Sequence, residues 1–315
     1  MQPDHELGHD TALHTTWDKD HEPALRVESG DVVRFECLND SGPLITPDTR
    51  SADLPSTEFV GHHLTGPVAI AEARPGDVLQ IDIIDVEHDD WGYTLIRSGD
   101  RGAGLLPEDF RDPKLYHWEL AEGIGIFEHG IEVPLNPFPG VVGLPPETPG
   151  PHPTGPPRDV GGNLDVKHLT AGSSVYLPVA VEDGLVSIGD GHAAQGDGEV
   201  CVSAIETPTT VMARFTLHND RSIQQPQFET PGPFSPAGFD AEGRAYATTG
   251  VADELMDATK AAVRAMIDHL TEYRELTREE AYLLCSVAGD LKINEVVDEP
   301  NWVVSMYLAD GLFPE

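Results

Sequence analysis

The chain has 315 residues, 39% of them apolar, and carries 55 acidic against 19 basic side chains, a formal charge of −36. That length supports a large core, as one domain or two to three lobes. The surplus of carboxylates excludes nucleic acid as a partner, because a phosphate polymer would be repelled.

The acidic residues are spread along the chain, and only five of the 19 basic residues are lysines. This is the surface expected of a protein from a salt-rich cytoplasm, where screening keeps self-repulsion tolerable. It implies a halophilic source, an archaeon. No apolar run reaches the length of a membrane span, and the first residues have neither a basic region nor an apolar signal core. Location in the cytoplasm and no membrane partner are therefore expected. Cys37, Cys201 and Cys285 are far apart and lie in apolar segments, as core thiols in a reducing compartment do.

Taken in chain order, the first two-thirds read as β. Period-two or β-branched runs occur at Val32–Cys37, Val78–Val86, Ser174–Val181, Leu185–Ile188 and Val211–Leu217. In Val78–Val86 the alternation is imperfect. The Pro/Gly-rich stretch Pro134–Pro157 reads as a loop, but interleaved Phe138, Val141, Val142 and Leu144 predict that it is ordered and packed on the β-lobe as a wall of the site. From Asp253 to about Tyr273 the apolar residues fall at helical spacing. A second helix follows a Thr277/Glu280 capping box and stops at Gly289, and Asp290–Val297 reads as a last strand. The fold class is α+β and β-rich, with β-sandwich or barrel-like lobes, a C-terminal helix pair and a final strand.

The chemistry concentrates in residues 187–199, Ser-Ile-Gly-Asp-Gly-His-Ala-Ala-Gln-Gly-Asp-Gly-Glu, between strand-like Gly184–Ile188 and Val200–Ile205. If the chain is extended there, Asp190 and His192 share a face, and Gln195, Asp197 and Glu199 return after a glycine turn. Such a run fits a polar hairpin loop or a site for a cation such as Zn²⁺. Asn163 and Asp165 stand two apart after Gly161-Gly162. His62-His63 precedes a strand, and Asp40 follows one. Each of these, taken alone, reads as a turn or surface residue. The G-x-S-x-G elbow, HExxH, EF-hand, Rossmann and P-loop patterns are all absent. A carboxylate/imidazole site that polarises a carbonyl or activates water is the chemistry that remains.

His14-Thr-Thr-Trp17, Thr65-Gly-Pro-Val68, Arg74-Pro-Gly-Asp-Val-Leu79, Pro137-Phe-Pro-Gly140, Gly161-Gly-Asn-Leu-Asp165, Tyr176-Leu-Pro-Val179, Gly189-Asp-Gly-His-Ala-Ala-Gln-Gly-Asp-Gly-Glu199 and Asp290-Leu-Lys-Ile293 together resemble the acetamidase/formamidase family. They follow the family's order from about His14 to Asp298, and the Gly189–Glu199 run is the most specific of them. Where the family usually has His-Pro before Leu-Thr-Gly-Pro, this chain has His62-His63, which adds a possible ligand. Val142-Gly-Leu-Pro-Pro146 also departs from the usual Gly-Val-Ala-Pro.

The resemblance implies hydrolysis of small linear amides, formamide or acetamide, to the carboxylate and ammonia in a cytoplasmic homodimer or larger homo-oligomer. It implies a divalent cation, Zn²⁺ first and Ca²⁺ second, held by Asp165, Asp190 and His192, with His62 and Asp40 as ligands or their supports. Glu199 is implied as general base and then acid, and Gln195 and Asn163 as residues that orient the amide. One acetamidase/formamidase-like unit, 1–315, is expected, with a β-lobe at 1–120, a β-lobe carrying the main motif at 121–245, and an α+β lobe at 246–315. The competing readings are a hydrolase of cyclic amides and a non-catalytic binder of amides or polyols on the same scaffold.

Overall fold

Three strands whose odd-numbered or alternate side chains are apolar build the centre of one sheet: Val32–Cys37, Val78–His88 and Thr209–His218. The described residues of this computed structural model are 2–56, 60–97, 104–231, 245–296 and 300–314; Asp298, the far end of the resemblance, and Val297 lie outside them. The sheet has six strands, in the order His5–Leu7, Val32–Cys37, Thr209–His218, Val78–His88, Ser174–Pro178 and Gln227–Glu229. Its inward Val33, Phe35, Leu79, Ile81, Ile83, Val211, Ala213 and Phe215 form one buried cluster with Val68, Ile70, Val142, Val186 and Ile188. The latter come from a second sheet, ordered Gly161–Asn163, Phe138–Gly143, Val186–His192, Leu64–Ile70 and Leu13–His14, with Leu25–Val27 also paired to Leu64–Ile70. Two inner faces sharing one core make a β-sandwich. The imperfect alternation of Val78–Val86 has a local cause. Met212 pairs with Asp85 and Ala213 with Ile83, so Ile84 is an extra residue and both Ile83 and Val86 stay inward.

Four expectations change. The Pro134–Pro157 stretch is not loop throughout: Phe138–Gly143 is a fully buried strand in the interior of the second sheet. Pro139 is tolerated there opposite Gly191, and the segment does wall the site described below. The strand predicted to end near Ile188 runs on through Gly189 to His192, so Asp190 and His192 lie on the strand itself. Val200–Ile205, strand-like in composition, is a turn and bends, with Val202 at φ +75°. Its Ile205 end is tied back to the residues after the strand, Ala193 N–H donating to Ile205 O and Ile205 N–H to Ala194 O.

Helices α1 (Leu255–Tyr273) and α2 (Arg278–Ala288) stand where periodicity and the capping box put them. In the box, Thr277 Oγ1 accepts from Glu280 N–H at 3.3 Å, and Thr277 N–H donates to Glu280 Oε2 at 2.8 Å. The first helix has no side-chain cap at Glu254. Buried Val263, Met266, Ile267 and Leu270 contribute about 1.5–3 kcal/mol each, which outweighs the roughly 1 kcal/mol a cap supplies. Both helices share a core with Trp118 and Leu120 of the sheet Trp91–Ile96, Lys114–Ala121, Ile124–Ile126 and Glu132–Pro134, and with Phe127, which directly follows its third strand. Val304, Met306 and Leu308 join the same core. They belong to Trp302–Ala309, the middle strand between Ala245–Ala252 and Asp290–Glu295. The strand Asp290–Glu295 is thus followed by another and is not the last. No described helix is long and apolar enough to cross a membrane, and the three cysteines are free and buried.

Candidate metal centre and active site

Residues 188–201 pass from the sandwich core, which Ile188 enters, to the helical core, which Ala193, Ala194, Val200 and Cys201 enter. Polar side chains collect at this junction. Asp190 Oδ2 lies 3.3 Å from His192 Nε2, and Glu206 Oε2 lies 3.1 Å from the same nitrogen. Asp165 reaches the cluster from the turn after Gly161–Asn163, a turn held by Asp165 N–H and Leu164 N–H, both donating to Gly140 O. Single ligand atoms of Asp165, Asp190 and His192 fall within 4.8 Å of one another, as do those of His192, Glu199 and Glu206.

The floor is Gly140. A Cβ there would sit 2.7 Å from His192 Cε1 and 2.8 Å from both Asp165 Oδ1 and Asp190 Oδ2. Only a residue without a side chain leaves this space open. The backbone above it is strained: Asp165, Asp190 and Glu199 all have positive φ, at 47°, 58° and 40°. Three non-glycine residues in the left-handed region at one site require surroundings that over-determine them.

Gln195 supplies part of that. Its Nε2 donates to Asp165 O at 2.8 Å, which orients the amide, so Oε1 faces His192 Nδ1 at 3.0 Å. Nδ1 therefore carries a proton, and Nε2 is the atom presented to the carboxylates. Phe138 packs edge-on against the imidazole at 5.0 Å. Both ends of the Gln195 amide are engaged, so it positions His192 and does not reach for a substrate.

His62 faces the site, with Nε2 3.9 Å from Asp190 Oδ2 and Nδ1 3.0 Å from Thr154 Oγ1. His63 turns to Asp40 O instead, at 3.3 Å. Asp40 belongs to neither group of converging ligand atoms among the described residues. Tyr93 OH donates to its Oδ1, and Arg97 Nη2 lies 3.1 Å from its Oδ2, so its oxygens are spent on the protein. Asn163 donates through Nδ2 to Gly155 O at 3.2 Å and keeps a buried Oδ1 without a partner. Glu206, an isolated bridge residue paired with Tyr93 and His192, was not singled out in the sequence. Its only signal is a lone acid in an otherwise apolar and small-residue segment.

The electrostatics follow from burial. Burial raises the Asp165 carboxyl to about 7 against the pull of His192, with Asp190 and Asp40 adding to the rise. Burial, with Asp190 and Asp40, raises Glu206 to about 8, and burial beside Asp165 takes Glu199 well above its ordinary value. Burial would raise Asp190 too, but His192 and His62 hold it at about 2. Burial works to lower His192, yet Glu206 and Asp190 raise it well above the usual imidazole range. The site thus packs four carboxyl groups around one imidazole. Asp165 Oδ1, Asp190 Oδ1, His192 Nε2 and Glu206 Oε2 are buried with no hydrogen-bond partner. Such atoms cost free energy unless something compensates them. A mixed N/O donor set with surplus negative charge suits a divalent cation.

The sequence profile of the acetamidase/formamidase family matches residues 2–152 and 150–315. The chain is 27% identical to the formamidase of Methylophilus methylotrophus, covering 96% of this chain and 90% of that one. Among solved structures, an acetamidase from Bacillus halodurans aligns with TM-score 0.67 and 30% identity over 96% of this chain and 97% of its own. A gamma lactamase from Delftia acidovorans shares the fold at TM-score 0.89 and 24% identity, over 99% and 94% of the two chains. With its buried carboxylate–imidazole centre and a profile match along nearly its full length, this chain belongs to the acetamidase/formamidase family.

Proposed function

We propose that the chain hydrolyses the C–N bond of small linear amides, formamide or acetamide, to carboxylate and ammonia, with a divalent cation held by Asp165, Asp190 and His192. The observation that carries this reading is the convergence of ligand atoms of Asp165, Asp190 and His192 within 4.8 Å of one another beside Gly140, where each of the three side chains keeps a buried polar atom without a hydrogen-bond partner. Zn²⁺ suits the imidazole, and Ca²⁺ is the second choice for an oxygen-rich set. Bound there, the cation would polarise the amide carbonyl and lower the pKa of a water.

The protein's own groups do the rest. Gln195 fixes the His192 tautomer, and His62 stands beside Asp190 as a further ligand or its support. Glu199 takes the proton of the attacking water at its carboxylate and returns it to the leaving nitrogen as the C–N bond breaks. Asn163 Oδ1 offers an acceptor for the amide N–H. Formamide and acetamide bury almost no surface, so binding is weak and selectivity comes from a small closed pocket. The oligomer and the cytoplasmic, halophilic setting complete the proposal: a homodimer or larger assembly whose acidic surface suits high salt.

Glu199→Gln tests the role of the base. It should retain the cation and lower kcat by about 10²–10⁴-fold; turnover within a few-fold of wild type would remove Glu199 from that role.

A further inference from the structure

Outside the site lies a second buried ionic cluster that the hydrolytic mechanism does not use. Lys167 and Asp290 are 7% and 1% exposed, and Lys167 Nζ donates to Asp290 Oδ1. Asp197 joins them, with Oδ2 3.4 Å from Lys167 Nζ and its backbone N–H 3.3 Å from Asp290 Oδ1. Lys292 borders the cluster, 3.9 Å from Asp197 and 3.8 Å from Asp290.

The positions in sequence give the cluster its meaning. Lys167 is two residues after Asp165, and Asp197 is two before Glu199. Asp290 begins the strand that follows α2. Two loops that each carry a strained site carboxylate therefore converge on one anchor in the C-terminal part of the chain. The second loop is seated further by Gly196 N–H on Ser286 O at 2.7 Å and Leu291 N–H on Asp197 O at 3.2 Å. A Cβ on Gly196 would lie 1.8 Å from Gly289 O, so the loop touches the end of α2 backbone to backbone. Gly289 itself has φ −95° and is no left-handed cap; what it provides is this close approach.

We propose that the Lys167–Asp290 pair is a positioning device: it holds Asp165 and Glu199 at their strained geometry, so that ligand and acid/base stay in register. A buried ion pair is weak evidence for stability, and replacing both partners by apolar residues often leaves a protein as stable as before. That separates a positioning role from a structural one. The inference rests on the reading of Asp165 and Glu199 given above.

The test compares wild type with Lys167→Met/Asp290→Leu by hydrogen exchange and by ammonia release from formamide and acetamide. Expected are faster exchange in residues 160–168 and 193–200, unchanged exchange in α1, and kcat lower by about 10- to 100-fold, the usual cost of losing an outer-sphere support, with KM within a few-fold. Unchanged kcat, or exchange raised throughout the molecule, would overturn the proposal. Should the double variant not fold, Lys167→Gln carries the same test, since Lys292 still faces the Asp290 charge. Its expected result is the same pattern at smaller amplitude, and wild-type exchange and kcat would overturn the proposal equally. A wild type that releases no ammonia from either amide would sink the functional reading, while the exchange comparison would still decide this one.

Discussion

At the residue scale, Gly140 decides whether the centre can exist. An alanine there puts carbon 2.7–2.8 Å from three side chains at once. None can retreat cheaply, because His192 is held between Gln195 and Phe138. Overpacking of this kind costs about 1–3 kcal/mol. Gly140→Ala should therefore fold with reduced stability and retain less than half the bound cation of wild type by metal analysis after gel filtration. Full occupancy would mean that the space above Gly140 is not where the cation sits. In the sequence, Asp190 and His192 were legible because a strand places residues two apart on one side. Asp165 was legible only through the family motif, whereas Glu199 stood in the same glycine-rich run as Asp190 and His192 and drew only its role from the motif. Glu206 was not legible, because it is brought in by isolated bridges to Tyr93 and His192, a non-local pairing that leaves no periodic trace. Gln195 was recognised as a site residue, but its contacts turn it toward His192 and not toward an amide.

At the scale of elements, α2 links stability to the site. Its capping box starts it, and its far end supplies Ser286 O and Gly289 to the loop before Glu199. Thr277→Ala should cost about 1 kcal/mol, read as a lower denaturant midpoint with unchanged slope. A change below a few tenths would show that packing of Tyr282, Leu283 and Leu284 fixes the helix without its cap. The capping box was plain in the sequence because it is local chemistry. The strand Phe138–Gly143 was concealed, since its Pro139 and Gly140 belong to the vocabulary of loops. Burial between two strands and the demands of the site override that local preference.

At the scale of the whole molecule, the charge of −36 sets the conditions for everything else. The screening length falls from about 10 Å at 0.1 M salt to about 3 Å at 1 M, so self-repulsion should weaken more than the surface ion pairs do. The thermal midpoint should rise between 0.1 and 2 M NaCl; a fall would show that pairs such as Arg264 with Glu108 and Asp109 outweigh the net charge. The sandwich and helix pair were readable from periodicity. Their junction, where the site forms, arises only when both cores are packed.

The most direct test of the central claim is ammonia release from formamide and acetamide in high salt, measured on one preparation before chelation, after it, and after return of Zn²⁺. The account predicts turnover that disappears with the cation and returns with it. Ammonia release that survives complete removal of the cation would contradict it, as would a cation-loaded protein that releases none from either amide.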